Sequence, residues 1–295
     1  IVARAIKADL YENWTDASRQ IEMIGIFDSG YGGLTILSEI RKYLPEYSYL
    51  YLGDNARAPY GTRSFDVIYE YTLQAVNYLY QQGCNLIILA CNTASAKALR
   101  TIQQCDIDPN RLRVLGVIRP TAEQAPLFTQ TGHVGVLATP GTVASESYVI
   151  ELQKQNPNLV ITQHACPMWV PLIESGEHLG EGADYFVEKY LTELLACDPL
   201  IDTIILGCTH YPLLQPKIEA FLEKYEHTKS LIQNSKFKII SQGEIVAKSL
   251  QDYLLRHSDI AERVKEEGES KVIYLTTESA SKFAESASIF LAEPI

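Results

Sequence analysis

The chain has no apolar run long enough to cross a membrane. Its longest apolar stretches, such as Leu86 to Cys91, have the length of a buried strand. The first residues also lack the extended apolar core of a secretory signal peptide. The six cysteines are spread over 295 residues rather than crowded into a short secreted chain, which favours free thiols over disulfides. We therefore expect a cytoplasmic protein.

Positive charge is in deficit. Lysine and arginine number 25 against 36 aspartates and glutamates, which gives a formal net charge of −11. Nucleic acids and anionic membrane surfaces are therefore excluded as expected partners, and a small molecule is favoured. An anionic ligand would gain nothing from this net charge, so hydroxyls, amides and backbone N–H groups would have to hold it.

Nucleotide-binding loops are absent as well. The glycines around Asp28 do not fit the dinucleotide-binding pattern, and Tyr31 stands where a phosphate-binding loop requires lysine. Four histidines and cysteines that could suggest zinc match no standard spacing: His164, Cys166, Cys208 and His210. We expect no metal and no nucleotide cofactor.

A repeated pattern is present from Met23 onwards. Apolar runs end in small polar residues, and a helical pattern follows each of them. The runs are Ile24–Phe27, Leu86–Ala90, Val134–Ala138 and Thr203–Gly207, and the helical patterns are Leu34–Tyr43, Ala94–Gln104, Val143–Lys154 and Leu213–Tyr225. Alternation of this kind predicts an α/β fold with parallel sheets.

The length predicts two domains. We assign residues 23–115 and 226–295 to the first domain and residues 116–225 to the second. Residues 1–22 are interpreted as an N-terminal extension. The end of the chain contains a predicted strand, Lys271–Leu275, and packs back on the first domain in this interpretation.

Two cysteines occupy equivalent places in an internal repeat. The segments Leu86–Thr93 and Thr203–His210 each contain an apolar strand, a small residue, a cysteine and then hydrogen-bonding residues. Because ligands of open α/β sheets bind beyond the carboxyl ends of the strands, two similar domains would present Cys91 and Cys208 to an active site in the cleft between them.

Two facing thiols suit the inversion of a carbon centre, which removes a proton from one face and delivers one to the other. A free cysteine has a pKa of about 8.5, so a thiol and a thiolate can coexist near neutral pH. The alternative is that each cysteine is a small buried hydrophobic residue. We apply that alternative to Cys84, Cys105, Cys166 and Cys197.

Several ordered motifs resemble those of bacterial glutamate racemases. They are Asp28–Gly33, Gly53–Gly61, Ala90–Thr93, Thr139–Thr142, Ala165–Pro167 with Pro171 and Glu174, and Gly207–Pro212. The resemblance extends from about Met23 to about Leu291. It implies a cofactor-independent enzyme of the aspartate/glutamate racemase superfamily, without metal or pyridoxal phosphate, that supplies D-glutamate for peptidoglycan.

The resemblance also implies roles for individual residues. Cys91 would act on the D-enantiomer and Cys208 on the L-enantiomer, with Asp28 assisting the first thiol and His210 the second. Substrate would be bound by Asp28, Ser29, Pro59, Tyr60, Gly61, Cys91, Asn92, Thr93, Thr139, Thr142, Cys208, Thr209 and His210. The implied supporting acidic groups are Asp54 and Glu174.

Other interpretations stay open at this point. A racemase of the same superfamily could act on aspartate or another amino acid. A hydrolase could use Cys208 as nucleophile and His210 as base, although Cys91 would then have no role. An amino-acid-binding protein would need no thiols. Arg57 could contact a carboxylate or form a structural ion pair, and both a homodimer and a monomer are compatible with the sequence.

Overall fold

Two parallel sheets organise the chain. The computed structural model describes residues 3–5, 23–228, 236–265 and 269–291. These residues separate into two compact units, one formed by the chain up to Val117 together with the part from Gly243 onwards, and the other by Ile118–Gln242.

The strands are short and mostly apolar. They are β1 (Ala3–Ala5), β2 (Ile24–Asp28), β3 (Tyr49–Gly53), β4 (Leu86–Leu89), β5 (Arg113–Gly116), β6 (His133–Ala138), β7 (Val160–Ala165), β8 (Thr203–Gly207), β9 (Lys238–Ile240) and β10 (Val272–Thr276). Every residue of β2, β4 and β8 is buried. Such continuous apolar runs are typical of parallel sheets that helices cover on both faces.

The helices follow the strands along the chain. They are α1 (Gly33–Tyr43), α2 (Phe65–Gln81), α3 (Asn92–Lys97), α4 (Leu99–Thr101), α5 (Ile118–Gln124), α6 (Pro140–Ala144), α7 (Ser147–Gln155), α8 (Trp169–Glu174), α9 (Glu181–Cys197), α10 (Gln215–Thr228), α11 (Gln242–Arg256), α12 (Ser258–Arg263) and α13 (Ala280–Leu291). None of these described helices combines the length and apolar character that a bilayer span requires.

Four neighbouring strands of the first sheet have the same order along the chain as the four strands of the second sheet. Within the described residues, the first unit has the order β1-β10-β3-β2-β4-β5 and the second has β7-β6-β8-β9. All neighbouring strands are parallel. The segment β3-β2-β4-β5 therefore corresponds to β7-β6-β8-β9, and β4 corresponds to β8. The prediction of two similar parallel-sheet α/β domains is confirmed.

The unit boundaries differ from the predicted ones at the second junction. The sequence interpretation returns the chain to the first domain at residue 226, whereas the units divide between Gln242 and Gly243. The reason is β9, which pairs with β8 and keeps residues 238–240 in the second sheet. The first junction, between Val117 and Ile118, lies two residues after the predicted one.

Most of the predicted N-terminal extension, residues 1–22, lies outside the described residues. Within it, β1 pairs in parallel with β10. This pairing makes part of the extension a strand of the first sheet. The sequence interpretation did not assign a strand there.

Two predicted helices are interrupted. The pattern Val143–Lys154 divides into α6 and α7, because Glu146 adopts a left-handed conformation with φ of 54°. The pattern Ala94–Gln104 divides into α3, α4 and a π-helical turn, Ile102–Asp106. Both interruptions fall within otherwise regular apolar spacing.

Candidate active site

Asp28, Asp54 and Cys91 lie together at the carboxyl edge of the first unit's sheet. Asp28 ends β2, and its main-chain carbonyl accepts a hydrogen bond from Asp54 N at 3.0 Å. Ala90 N donates to Phe27 O at 2.8 Å, which places the end of β4 beside the end of β2. The structure therefore brings these candidate residues to the edge where ligands of such sheets bind.

Cys91 is held between a helix start and a serine. It precedes α3, and its Sγ accepts a hydrogen bond from Ala94 N at 3.5 Å. Its Sγ also lies 3.3 Å from Ser29 Oγ. A backbone N–H directed at sulfur stabilises negative charge there, and the serine hydroxyl offers a second polar partner. The side chain is 6% exposed.

Asp28 is fixed by the turn that follows it. Its Oδ2 accepts a hydrogen bond from Gly30 N at 2.9 Å. A methyl group at Gly33 would lie 2.5 Å from Asp28 Cβ and 3.1 Å from Ala90 Cβ. The absence of a side chain at Gly33 therefore lets α1 begin directly against Asp28 and the strand end that carries Cys91.

The Pro59–Gly61 loop presents main chain rather than a phenol. Tyr60 is buried, and its hydroxyl donates to Asp54 Oδ2. Pro59 is exposed and has no N–H. The donors that this loop can offer to a carboxylate are the main-chain N–H groups of Tyr60 and Gly61.

The remaining candidates of the first unit are Asn92 and Thr93. They form the first two positions of α3, directly after Cys91, and both are buried. Arg57 forms an ion pair with Asp54, with Nε 2.7 Å from Oδ2. Of the two interpretations of Arg57, the structure supports the structural ion pair.

In the second unit, Cys208 belongs to a chain of polar groups. It follows β8, and its Sγ lies 3.7 Å from His210 Nδ1. On the other side of the ring, His210 Nε2 lies 2.9 Å from Glu174 Oε1. Glu174 ends α8, so residues 36 positions apart meet at one imidazole.

The surroundings of His210 raise its pKa above that of an ordinary histidine. Burial alone would lower the pKa of this imidazole. The hydrogen bonds with Cys208 and Glu174, together with the negative charge on those groups, outweigh burial and raise the pKa of His210 to about 10. The imidazole therefore stands as a polar partner between the Cys208 sulfur and the Glu174 carboxylate.

The threonines of the second unit surround the end of β6 and the start of the segment after β8. Thr139 caps α6 by accepting a hydrogen bond from Thr142 N at 3.3 Å. The two hydroxyls are 3.1 Å apart. Because Ala138 pairs with Gly207, Thr139 and Cys208 occupy adjacent strand ends. Thr209, the residue after Cys208, is also buried.

The other four cysteines do not share the polar partners of Cys91 and Cys208. Cys84 and Cys166 are buried and free, and burial raises the pKa of each thiol. Cys105 and Cys197 are free and exposed. In the part of the chain that the structure describes, no group of three or more His, Cys, Asp or Glu side chains is arranged to hold a metal ion.

Sequence reasoning missed Thr277. Its hydroxyl donates to Asp54 Oδ1 at 2.9 Å. The signal was available, because Thr277 follows the predicted strand Lys271–Leu275 as the other polar site residues follow theirs. The last of the quoted motifs ends at Pro212, so none of them marks Thr277.

Comparison with known proteins adds independent information. A family model described as Asp/Glu/Hydantoin racemase matches residues 34–233. The chain belongs to this racemase family. A glutamate racemase of Geobacter metallireducens is 41% identical over 226 residues, which cover 76% of this chain and 82% of that relative.

Solved structures agree with this racemase assignment. A glutamate racemase isoform of Bacillus anthracis has a TM-score of 0.81 at 33% identity and covers 94% of this chain and 96% of its own. A glutamate racemase of Francisella tularensis, solved in complex with D-glutamate, has a TM-score of 0.79 at 30% identity with the same coverage. As a member of the racemase family, the chain is an isomerase, and its fold is that of the glutamate racemases.

Proposed function

We propose that this racemase interconverts L- and D-glutamate without a cofactor, with Cys91 and Cys208 as its two acid/base groups. The observation that carries the proposal is the pair of equivalent strand ends. A cysteine with polar partners follows each strand. Cys91 in the first unit lies beside Ser29, and Cys208 in the second lies beside His210, which contacts Glu174.

In the L-to-D direction, the Cys208 thiolate removes the α-proton of L-glutamate. The Cys91 thiol then delivers its proton to the opposite face of the same carbon. One turnover therefore leaves Cys208 as a thiol and Cys91 as a thiolate, which is the state from which the reverse direction starts. Proton exchange with water returns both groups to the state needed for another L-to-D turnover. This mechanism requires the two thiols to approach the carbon from opposite sides.

The substrate carboxylates and ammonium group need local partners, because the net charge of the chain is −11. In this proposal the donors are the hydroxyls and N–H groups at the strand ends, together with the first turns of the helices that follow. They are Ser29, Tyr60, Gly61, Asn92, Thr93, Thr139, Thr142 and Thr209. Asp28 assists Cys91 in proton transfer.

Glutamate is preferred to aspartate as the substrate because the relatives with the same fold are glutamate racemases and one was solved with D-glutamate. We further propose that the product supplies peptidoglycan synthesis in the cytoplasm, and that the enzyme works as a homodimer. Sedimentation analysis of the purified chain tests the last point.

The decisive experiment follows Cα exchange in deuterated water. Purified enzyme should introduce deuterium into L-glutamate while D-glutamate accumulates. Cys91→Ala and Cys208→Ala should each lower turnover by at least ~10²–10⁴-fold, the usual contribution of an acid/base group. Near wild-type turnover in either variant would contradict the two-thiol mechanism, and exchange with aspartate but not glutamate would favour the rival substrate.

Cofactor independence has its own test. Activity should survive dialysis against a chelator and treatment with a carbonyl reagent. Activity that is lost on treatment and restored by zinc or pyridoxal phosphate would show that a cofactor takes part.

A hydrolase is the second candidate, and the Cys208–His210–Glu174 arrangement is the observation that favours it. Nucleophilic catalysis uses a thiol, a base and a group that orients the base. In a hydrolase, Cys91→Ala would leave turnover of amide or ester substrates intact. Loss of racemisation in that variant, without hydrolysis by the wild type, would dismiss this candidate.

A further inference from the structure

Asp54 is the centre of a buried hydrogen-bond network. Its carboxylate is fully buried. Oδ2 accepts from the Tyr60 hydroxyl and from Arg57 Nε, the latter at 2.7 Å, and Oδ1 accepts from Thr277 Oγ1 at 2.9 Å. A buried carboxylate needs such donors, because removing a charge from water without replacing its hydrogen bonds is strongly unfavourable.

Arg57 fixes one side of the network. Its Nη1 donates to Gln74 Oε1 at 2.7 Å, and its guanidinium lies 4.0 Å from the centre of the Tyr71 ring. The same ring lies 5.9 Å from the ring of Tyr60. The cation is therefore held by two side chains of α2 as well as by Asp54.

Thr277 fixes the other side. Its hydroxyl accepts a hydrogen bond from Ala56 N at 3.0 Å while it donates to Asp54. Its own N–H donates to Gly53 O at 3.1 Å. One residue from the segment after β10 therefore bridges both ends of the turn that carries Asp54, with its main chain at Gly53 and its side chain at Ala56. Thr277 also lies outside the residues 34–233 that the family model matches.

Tyr60 passes this constraint to the substrate loop. Burial and the neighbouring Asp54 raise the pKa of Tyr60 far above its usual range, so the phenol keeps its proton and donates it. The position of the Asp54 carboxylate consequently sets the position of the Tyr60 ring. The main-chain N–H groups of Tyr60 and Gly61 belong to the same short loop as this ring.

We propose that Thr277 is a positioning residue for substrate binding, which acts through Asp54 and Tyr60 on the main chain of the Pro59–Gly61 loop. The proposal rests on the proposed racemase function, since it assigns this loop to the substrate carboxylate. Because the loop would hold the substrate in both directions, its effect belongs to binding rather than to proton transfer.

The test compares two substitutions at one position. Thr277→Val keeps the shape but removes the hydroxyl, so Ala56 N and Asp54 each lose a partner. We expect the KM for L-glutamate and for D-glutamate to rise about tenfold, as loss of a hydrogen bond to a charged group implies, with kcat changed less than threefold. Thr277→Ser restores the hydroxyl and should return both KM values to within about twofold of wild type.

Thr276 provides a matched control. It is buried beside Thr277 in sequence, and its hydroxyl bonds to Asn55 Oδ1 at 3.0 Å, so it joins the same two segments without touching Asp54. Thr276→Val should lower the thermal midpoint by an amount similar to Thr277→Val. It should leave both KM values unchanged.

The outcomes separate the two proposals. An active wild type with unchanged KM in Thr277→Val, or an equal rise in KM in Thr276→Val, would reduce Thr277 to a structural residue and overturn this inference alone. Failure of Thr277→Ser to restore KM would do the same. A wild type without racemase activity would overturn the proposed function and this inference with it.

Discussion

At the scale of single residues, the two cysteines differ in their immediate surroundings. Cys91 has a hydroxyl and a backbone N–H as partners, whereas Cys208 has an imidazole of raised pKa that a carboxylate orients. A hydroxyl polarises a sulfur without changing charge, while an imidazolium compensates a full negative charge. The two directions of reaction therefore depend on different groups.

His210→Asn should impair the two directions unequally. We expect kcat with L-glutamate to fall by about 10²-fold, because Cys208 then lacks its cationic partner as a base. Since the equilibrium constant between enantiomers is one, the two kcat/KM values must stay equal, and the asymmetry appears in kcat and KM separately. Steady-state kinetics in both directions with Cα-deuterated substrates measures this.

His164→Asn is the matched control for that substitution. His164 is paired with Glu193 at 3.1 Å in the same unit but takes no part in the candidate site. The control should keep wild-type kcat and isotope effects. Equal loss in both directions for His210→Asn, or no loss, would remove the assigned role of His210.

The raised pKa of His210 also predicts a pH-dependent stability. An unfolded histidine has a pKa of about 6.5, and the folded value is about 10. Its stabilising contribution is therefore complete below pH 6.5 and is lost as the pH rises from there towards 10. The ring centres of Trp169 and Tyr211 are 4.7 Å apart. Fluorescence of Trp169 during denaturant unfolding should therefore report the decline in the free energy of unfolding.

Two variants complete the stability measurement. Trp14→Phe removes the second tryptophan of the chain, which lies outside the described residues, so that emission comes from Trp169. In that background, His210→Asn should flatten the dependence between pH 6.5 and 10. The same slope with and without His210 would disprove the linkage.

At the scale of elements, the start of α1 sets the position of the candidate residues Asp28 and Cys91 in the first unit. Gly33→Ala would place a methyl group 2.5 Å from Asp28 Cβ and 2.9 Å from Asp28 Cγ, too close for any rotamer to relieve. We expect α1 or the Asp28 side chain to shift and kcat to fall by about tenfold or more, as misplacement of a catalytic group implies. Racemase kinetics alongside circular dichroism of the folded variant measures this.

Gly182→Ala is the control within a helix. Nothing lies within 4 Å of the added methyl group, and Gly182 lies in α9. This variant should gain about 0.5–1 kcal/mol of stability from helix propensity and keep wild-type kinetics. Wild-type kinetics in Gly33→Ala would show that Asp28 tolerates displacement.

The sequence predicted four apolar buried strands and β10, and it missed the edge strands β1, β5, β7 and β9 together with the buried strand β3. The apolar runs that became β2, β4, β6 and β8 leave little choice, because only buried parallel strands suit them. Edge strands such as β7 carry polar residues, including Gln163 and His164, and their pairing depends on a neighbour distant in sequence. The break at Glu146 is also tertiary, since helical spacing continues through it.

The same limit applies to the candidate site. Motif resemblance named Asp54, Glu174 and His210, but only the fold shows that Glu174 meets His210 and that Thr277 meets Asp54. These pairs are separated by 36 and 223 residues. Sequence spacing does not encode such contacts unless the strand order is known.

At the scale of the whole molecule, each unit carries one thiol at the end of an equivalent strand. If one chain contributes both acid/base groups to one substrate, an inactive half cannot be replaced by another molecule. An equimolar mixture of Cys91→Ala and Cys208→Ala should therefore remain without activity. Assay of the mixture after unfolding and refolding together tests this, and recovery of about a quarter of the wild-type rate would mean that two copies share a site.

The insertion of the second unit between Val117 and Gly243 also has a consequence for biosynthesis. A ribosome releases β6 to β9 before it translates β10 and Thr277, so the Cys208 half can fold while the Cys91 half still lacks a strand and one partner of Asp54. A nascent or prematurely terminated chain would thus hold one formed thiol site and one unfinished site. Inversion of a stereocentre becomes available only when translation has nearly ended.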